Sequence, residues 1–263
     1  MTELSASELT VNRGGRPILE RVDFRGQSGE FVAVIGANGA GKSTLLAVLA
    51  GLLAPDIGKV SLDGRLLANI SRVEIARRRA YLPQNPRCEW PISVERLIAL
   101  GLTPALPAFG GLDAGMQTRI DAMLEEWDLL PHRGQAATTL SGGELARAML
   151  ARAAVSNPDM LIADEPISGL DPRHALDTVA RLRASARGGK LVVAAIHDLT
   201  LAARYATRIL ALDHGRVAAD GAPGDVLTAD LLRKVFDVEA RILGSGDGAL
   251  VDYVAPLCVN ADR

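Results

Sequence analysis

Residues 31–49 read FVAVIGANGAGKSTLLAVL, and the order of residue types in that stretch decides the fold. The five apolar residues at 31–35 are a run short enough for a buried strand, GANGAGKST at 36–44 satisfies G-x-x-x-x-G-K-[ST], and a helical run follows at 44–49. Strand, glycine-rich loop and helix N-terminus in this register make a phosphate cradle. Gly36, Gly39 and Gly41 let the backbone wrap around phosphate oxygens. Together with Ala37, Asn38, Ala40 and Thr44 they bring N–H groups and the positive end of a helix to one point. Lys42 is placed to reach β- and γ-phosphates, and the Ser43 hydroxyl to take a position on Mg²⁺. A nucleotide such as ATP, with Mg²⁺, is the expected ligand. Kinases, GTPases, helicases and transport ATPases share such a cradle, so other residues must decide the reaction.

Outward from this stretch, short apolar, β-branched runs at 161–163, 191–196 and 209–212 alternate with Leu- and Ala-rich periodic segments. That alternation predicts an α/β chain with a mostly parallel sheet. The runs at 31–35, 161–163 and 191–196 end in a glycine-rich loop, in Asp164-Glu165 and in His197-Asp198, and ligands of open α/β sheets bind beyond such strand ends. Between 84 and 157 the strand signal gives way to helical segments at 116–127 and 145–155. The expected organisation is therefore one domain, with a core of 1–83 and 159–222, an inserted helical subdomain at 84–158, and a C-terminal extension at 223–263. In that extension, 223–238 is amphipathic, and the last residues, around GSGDG at 244–248, read as a small hairpin or a loose tail.

Composition narrows the function classes. The chain has 263 residues, of which 48% are hydrophobic, yet it has only four Phe, three Tyr and two Trp, so its core must be built from aliphatic side chains. Lys plus Arg is 29 against 31 Asp plus Glu, which leaves no basic field to collect nucleic acid. The longest uncharged stretch, 97–112, is broken by Gly101, Pro104, Pro107, Gly110 and Gly111 and cannot span a bilayer as a helix. MTELSASELTVNRGG carries no export or transit pattern, so a cytosolic chain is expected, with Cys88 and Cys258 reduced packing residues. The four His show no metal-binding spacing.

Residues 140–144 read LSGGE. Ser141 with Glu144 three places on is a capping box, but capping does not need Gly142 and Gly143; the glycines permit close approach of a backbone or a phosphate to the helix N-terminus. LSGGE resembles the signature of ATP-binding cassette (ABC) ATPases, and MLIADEP at 160–166 resembles their Walker B strand. The resemblance implies a P-loop NTPase core of the ABC ATPase fold, with an inserted helical subdomain and an antiparallel β part. It implies that Asp164, Ser43 and Gln84 serve Mg²⁺ and that Glu165 is the general base. Gln84, in YLPQ, becomes the γ-phosphate-sensing hinge, His197 the switch histidine, and Asp171, in SGLD, part of a loop that crosses a dimer interface. Ser141, Gly142, Gly143 and Glu144 of one subunit would then face the phosphate loop of another, sandwiching two ATP molecules in a homodimer.

Three departures stand out. VNRGGRPIL sets Arg13 where the family's adenine-stacking aromatic is expected; either the guanidinium lies flat on the base, or Arg13 is a surface residue and adenine is held elsewhere. Glu144 stands where Gln is commonest, and Arg147 is the nearest basic residue after the signature. One cassette with NPRCEWPISVERLIALG after the hinge, and DGAPGDVLTADLLRKVFDVEARIL later, resembles the ATPase subunits of siderophore, haem and vitamin B12 importers. Such a subunit would sit at the cytoplasmic face of the inner membrane with an integral-membrane permease and a substrate-binding protein. A zinc or manganese importer, an exporter cassette and a non-transport ABC protein are the alternatives. Trp90 is either a core aromatic or a wall of the permease groove, and Arg77 to Arg79 read as a solvated helix face.

Overall fold

The computed structural model describes residues 1–106 and 111–257; Pro107, Gly110 and Cys258 lie outside them. In chain order the elements are β1 (Glu3–Arg13), β2 (Arg16–Gln27), β3 (Phe31–Ile35), α1 (Lys42–Leu49), β4 (Ile57–Leu62), β5 (Arg65–Leu66), α2 (Arg72–Arg78), β6 (Arg79–Leu82), α3 (Val94–Ala99), α4 (Ala114–Glu126) and α5 (Gly142–Ala154). Then come β7 (Met160–Asp164), α6 (Pro172–Arg187), β8 (Leu191–Ala195), α7 (Leu199–Tyr205), β9 (Arg208–Asp213), β10 (Arg216–Gly221), α8 (Pro223–Val226), α9 (Ala229–Phe236), β11 (Val238–Leu243) and β12 (Leu250–Pro256).

All five residues of β3 are buried, which requires cover on both faces. Phe31, Ala33 and Ile35 face one core with residues of α5, α6 and α7, whereas Val32 and Val34 face another against α1 and the β1–β2 hairpin. The sheet runs β10-β9-β3-β8-β7-β6 and is parallel except for the antiparallel β10. Both neighbours of β3 come from far later in the chain, so the loop after it opens at a crossover, beside the ends of β7 and β8.

A second, antiparallel sheet, β2-β1-β4-β5, covers α1. Its strands are hard to see as a period of two because the phase slips. In β1 the buried residues are Leu4 and Ala6, then Leu9 and Val11, with Glu8 in the left-handed region at φ 53° where the ladder bulges. Between β6 and β7 the described residues hold only helices, turns and one isolated bridge, Ser93 with Ala136. No helix among the described residues is long and apolar enough to cross a membrane.

Two expectations need correction. Of Arg77 to Arg79 only Arg77 is exposed, donating to the Pro104 carbonyl at 2.8 Å; Arg78 bridges Asp63 and Asp159, each at 2.7 Å, and Arg79 opens β6 with a buried Nε that has no partner among the described residues. The amphipathic stretch 223–238 is two helices, because Thr228 caps α9 through the Leu231 N–H at 3.2 Å. The last described residues form a hairpin, β11 with β12, rather than a loose tail. It is tied to α7 by Arg204 Nε donating to the Ala249 carbonyl at 2.6 Å and by the Val251 N–H donating to Thr200 Oγ1 at 3.1 Å.

Candidate active site

Two glycines set the shape of the loop after β3. A Cβ on Gly36 (φ 151°) would sit 2.4 Å from the Leu212 carbonyl oxygen, and one on Gly41 (φ 100°) 2.7 Å from that of Ile18, so neither position admits a side chain. Gly41 starts α1 and no side chain caps that helix, so its first N–H groups are left to whatever occupies the loop. Lys42 is 6% exposed, and its ammonium donates to the Gly36 and Ala37 carbonyls at 2.8 and 3.1 Å. Burial lowers its pKa, and the negative charges of Glu165 and Asp164 oppose that shift.

The loop opens into a cleft of about 680 Å³. Asn38, Gly39, Gly41, Lys42, Ser43 and Thr44 line one side of it, and Gln84, Glu165 and His197 come from beyond β6, β7 and β8. Three strand ends thus meet one phosphate loop. Gly36, Ala37 and Ala40 build the loop without lining the cleft. Asp164, at the tip of β7, is 3% exposed, and its Oδ1 has no hydrogen-bond partner among the described residues. Burial pushes its carboxyl up; hydrogen bonding from Ser43 works against that, as does the charge on Lys42. An orphaned carboxylate oxygen beside a hydroxyl fits a small, hard dication such as Mg²⁺, which keeps most of its water and takes few protein ligands.

Glu165 follows with φ 53°, a backbone conformation rare for this residue type, which turns its side chain onto the Nε2 of His197. Burial pushes the Glu165 carboxyl up, but hydrogen bonding from His197 and Gln84 and the charge on Lys42 together bring it below the ordinary glutamate range. It is therefore a carboxylate, able to accept a proton.

The other sequence-derived residues lie elsewhere. Arg13 ends β1 opposite Arg16, exposed, and does not line the cleft; the wall on that side is Ile18, which the sequence reading missed. Ile18 could have been found only from its place two residues beyond a hairpin turn. Asp171 caps α6 through the His174 N–H at 3.0 Å and pairs with His174 Nδ1, so its carboxylate is already committed. Ser141 to Glu144 form the first turn of α5 away from the cleft, with both hydrogen bonds of the capping box present. A Cβ on Gly142 would meet nothing within 4 Å, and one on Gly143 only ordinary contact with Leu170 at 3.7 Å. Nothing among the described residues asks for glycine there.

Residues 19–168 match the family model described as ABC transporter. The hemin import ATP-binding protein HmuV of Rhodopseudomonas palustris (strain BisB18) is 40% identical over 269 residues, covering 99% of this chain and 97% of that protein. Its counterpart from strain ATCC BAA-98 / CGA009 is 46% identical, covering 91% and 90%. Among solved structures, a dimeric post-hydrolysis state of an ATP-binding cassette bound to ADP and Pi superposes with a TM-score of 0.76 at 25% identity, covering 84% of this chain and 98% of that one.

Proposed function

Because the chain belongs to the ABC transporter family and is an ATPase, we propose that it powers import of haem or a related iron chelate through a separate membrane permease, at the cytoplasmic face of the inner membrane. A substrate-binding protein would deliver the cargo. The full-length likeness to hemin import ATP-binding proteins, which continues through the C-terminal hairpin, supports the cargo class. The division into core, helical insert and extension follows the same reading.

One observation carries the mechanism: the cleft holds loop, Lys42, Glu165 and His197, while the two glycines of 141–144 open outward with no partner among the described residues of their own chain. Two copies placed head to tail would complete each other, each setting the first turn of its α5 against phosphates held by the other's loop. Lys42 would exchange its two carbonyls for phosphate oxygens. Asp164 and Ser43, with Gln84, would hold Mg²⁺, which spreads the charge that builds on the transferring phosphoryl group. Glu165 takes the proton of the attacking water, and His197, bonded to it, keeps the carboxylate aimed and contacts the γ-phosphate. Ile18 would present an apolar wall to adenine in place of Arg13, which does not line the cleft.

Trp90 is 69% exposed, and the segment just before it, at Pro86 and Arg87, lines a groove with Leu82, Leu100, Met149 and Arg152. A core role is excluded by that exposure, and we assign this face to the permease. Co-expression with the permease followed by haem uptake in vesicles tests the proposal: ATP-dependent uptake supports it, and uptake of zinc or manganese instead would contradict it.

A further inference from the structure

Glu144 closes the capping box of α5 with Oε2 and presents Oε1 to His132 Nε2, 3.4 Å away. The far side of that ring is fixed, since His132 Nδ1 lies 2.8 Å from Gln135 Oε1. Gln135 cannot present its nitrogen instead, because Nε2 donates to the Thr139 carbonyl at 3.3 Å and to Thr139 Oγ1 at 3.0 Å. An amide oxygen has no proton to give, so Nδ1 carries one. In a neutral ring Nε2 would then be a bare lone pair facing a carboxylate; only the imidazolium suits both neighbours.

We propose that His132 is a positioning residue of the ATP site: as an imidazolium it holds Glu144, and with it the first turn of α5, in the orientation that receives the nucleotide of a second copy, so that affinity for ATP falls as pH rises. The inference rests on the role given above to residues 141–144. His132 touches no substrate and acts through Glu144 alone.

The surroundings agree. Glu144 is held below the ordinary glutamate range by the Ser141 N–H and hydroxyl, with smaller help from His132 and Arg147, so it is charged wherever the protein works. Two other charges face the pair. Arg147 of α5 is buried, with Nε donating to the Trp127 carbonyl at 3.2 Å, and its charge limits the gain. Arg133, next along the turn, is already paired with Glu95 and Asp121 at 2.5 and 3.0 Å. The His132 and Glu144 side chains are 24% and 26% exposed, so the effect is that of a partly solvated ion pair, roughly two- to fivefold in an equilibrium constant.

Steady-state ATPase kinetics of the full chain between about pH 6 and 9 test this, with a KM-against-kcat split as readout. For the unmodified chain, KM for ATP should rise roughly two- to fivefold across that range. In His132→Gln it should be flat, at the high-pH value. Ring-nitrogen NMR of histidine-labelled protein near pH 6.5 should find protons on both nitrogens of His132, with the Nε2 proton lost in Glu144→Gln. A KM profile unchanged by His132→Gln, or an unprotonated Nε2 in the unmodified chain, would overturn the proposal. Absence of ATP turnover at every pH would instead overturn the ATPase reading, and the NMR result would still decide the charge on His132.

Discussion

Glu165 concentrates the chemistry of the site in one side chain. Its left-handed backbone turns the carboxylate onto His197, and its neighbours keep it ionised. Glu165→Gln keeps the shape and removes the proton acceptor, so turnover should fall by at least about 100-fold while ATP binding persists. Loss of binding along with turnover would show that the residue holds the nucleotide rather than activating water. Ile18 makes a second case: Ile18→Asp should raise KM for ATP with little change in kcat, read from initial rates, because it removes an apolar wall far from the reacting phosphate. Lys42, Ser43, Asp164 and Glu165 were legible in the sequence because their types and spacing state their chemistry. Ile18 was not, because any apolar residue at that turn would serve. Nor does the motif say where Arg13 points, since that depends on how the Gly14-Gly15 turn pairs Arg13 with Arg16.

At the scale of the element, α5 puts the outward glycines to the sharpest test. Within the chain, Gly143→Ala should be neutral or stabilising by about 0.5–1 kcal/mol, since alanine is the better helix former and the space is open. If those N–H groups meet a nucleotide from a second copy, the same change should abolish turnover. A thermal melt and an ATPase assay on one preparation separate the two effects, and an active, stabilised variant would contradict the role given to this turn. Of the five parallel strands, β3, β7, β8 and β9 were legible to within a residue or two, because strands buried on both faces read as plain apolar runs; β6 was not, because its four residues, opening with Arg79, are buried only alternately. The long antiparallel strands were not legible individually. Bulges at Glu8 and near Arg21, both with positive φ, shift the buried positions by one residue and erase the alternation that marks a half-buried strand.

Across the whole molecule, charged links join remote parts of the chain, and Arg78 makes one of them. It ties Asp63, after β4, to Asp159, before β7. Burial pushes the Asp63 carboxyl up, yet the Glu3 N–H and Arg78 hold it below the ordinary value. A carboxyl lower in the folded chain contributes stability at neutral pH and loses it as pH falls below about 4, the ordinary aspartate value. Asp63→Asn should therefore lower Tm at neutral pH and lose less than the parent on acidification; parallel Tm–pH curves would contradict this. The exposed Trp90 belongs to the same scale, and Trp90→Ala should weaken co-purification with the permease while leaving ATP binding intact. Each cleft should be half a site completed by a second copy. Light scattering of Glu165→Gln with MgATP tests this most directly: a particle of twice the chain mass is expected, reverting to one chain with Ser141→Arg, whereas a monomer with saturating MgATP, or a dimer unaffected by Ser141→Arg, would contradict it.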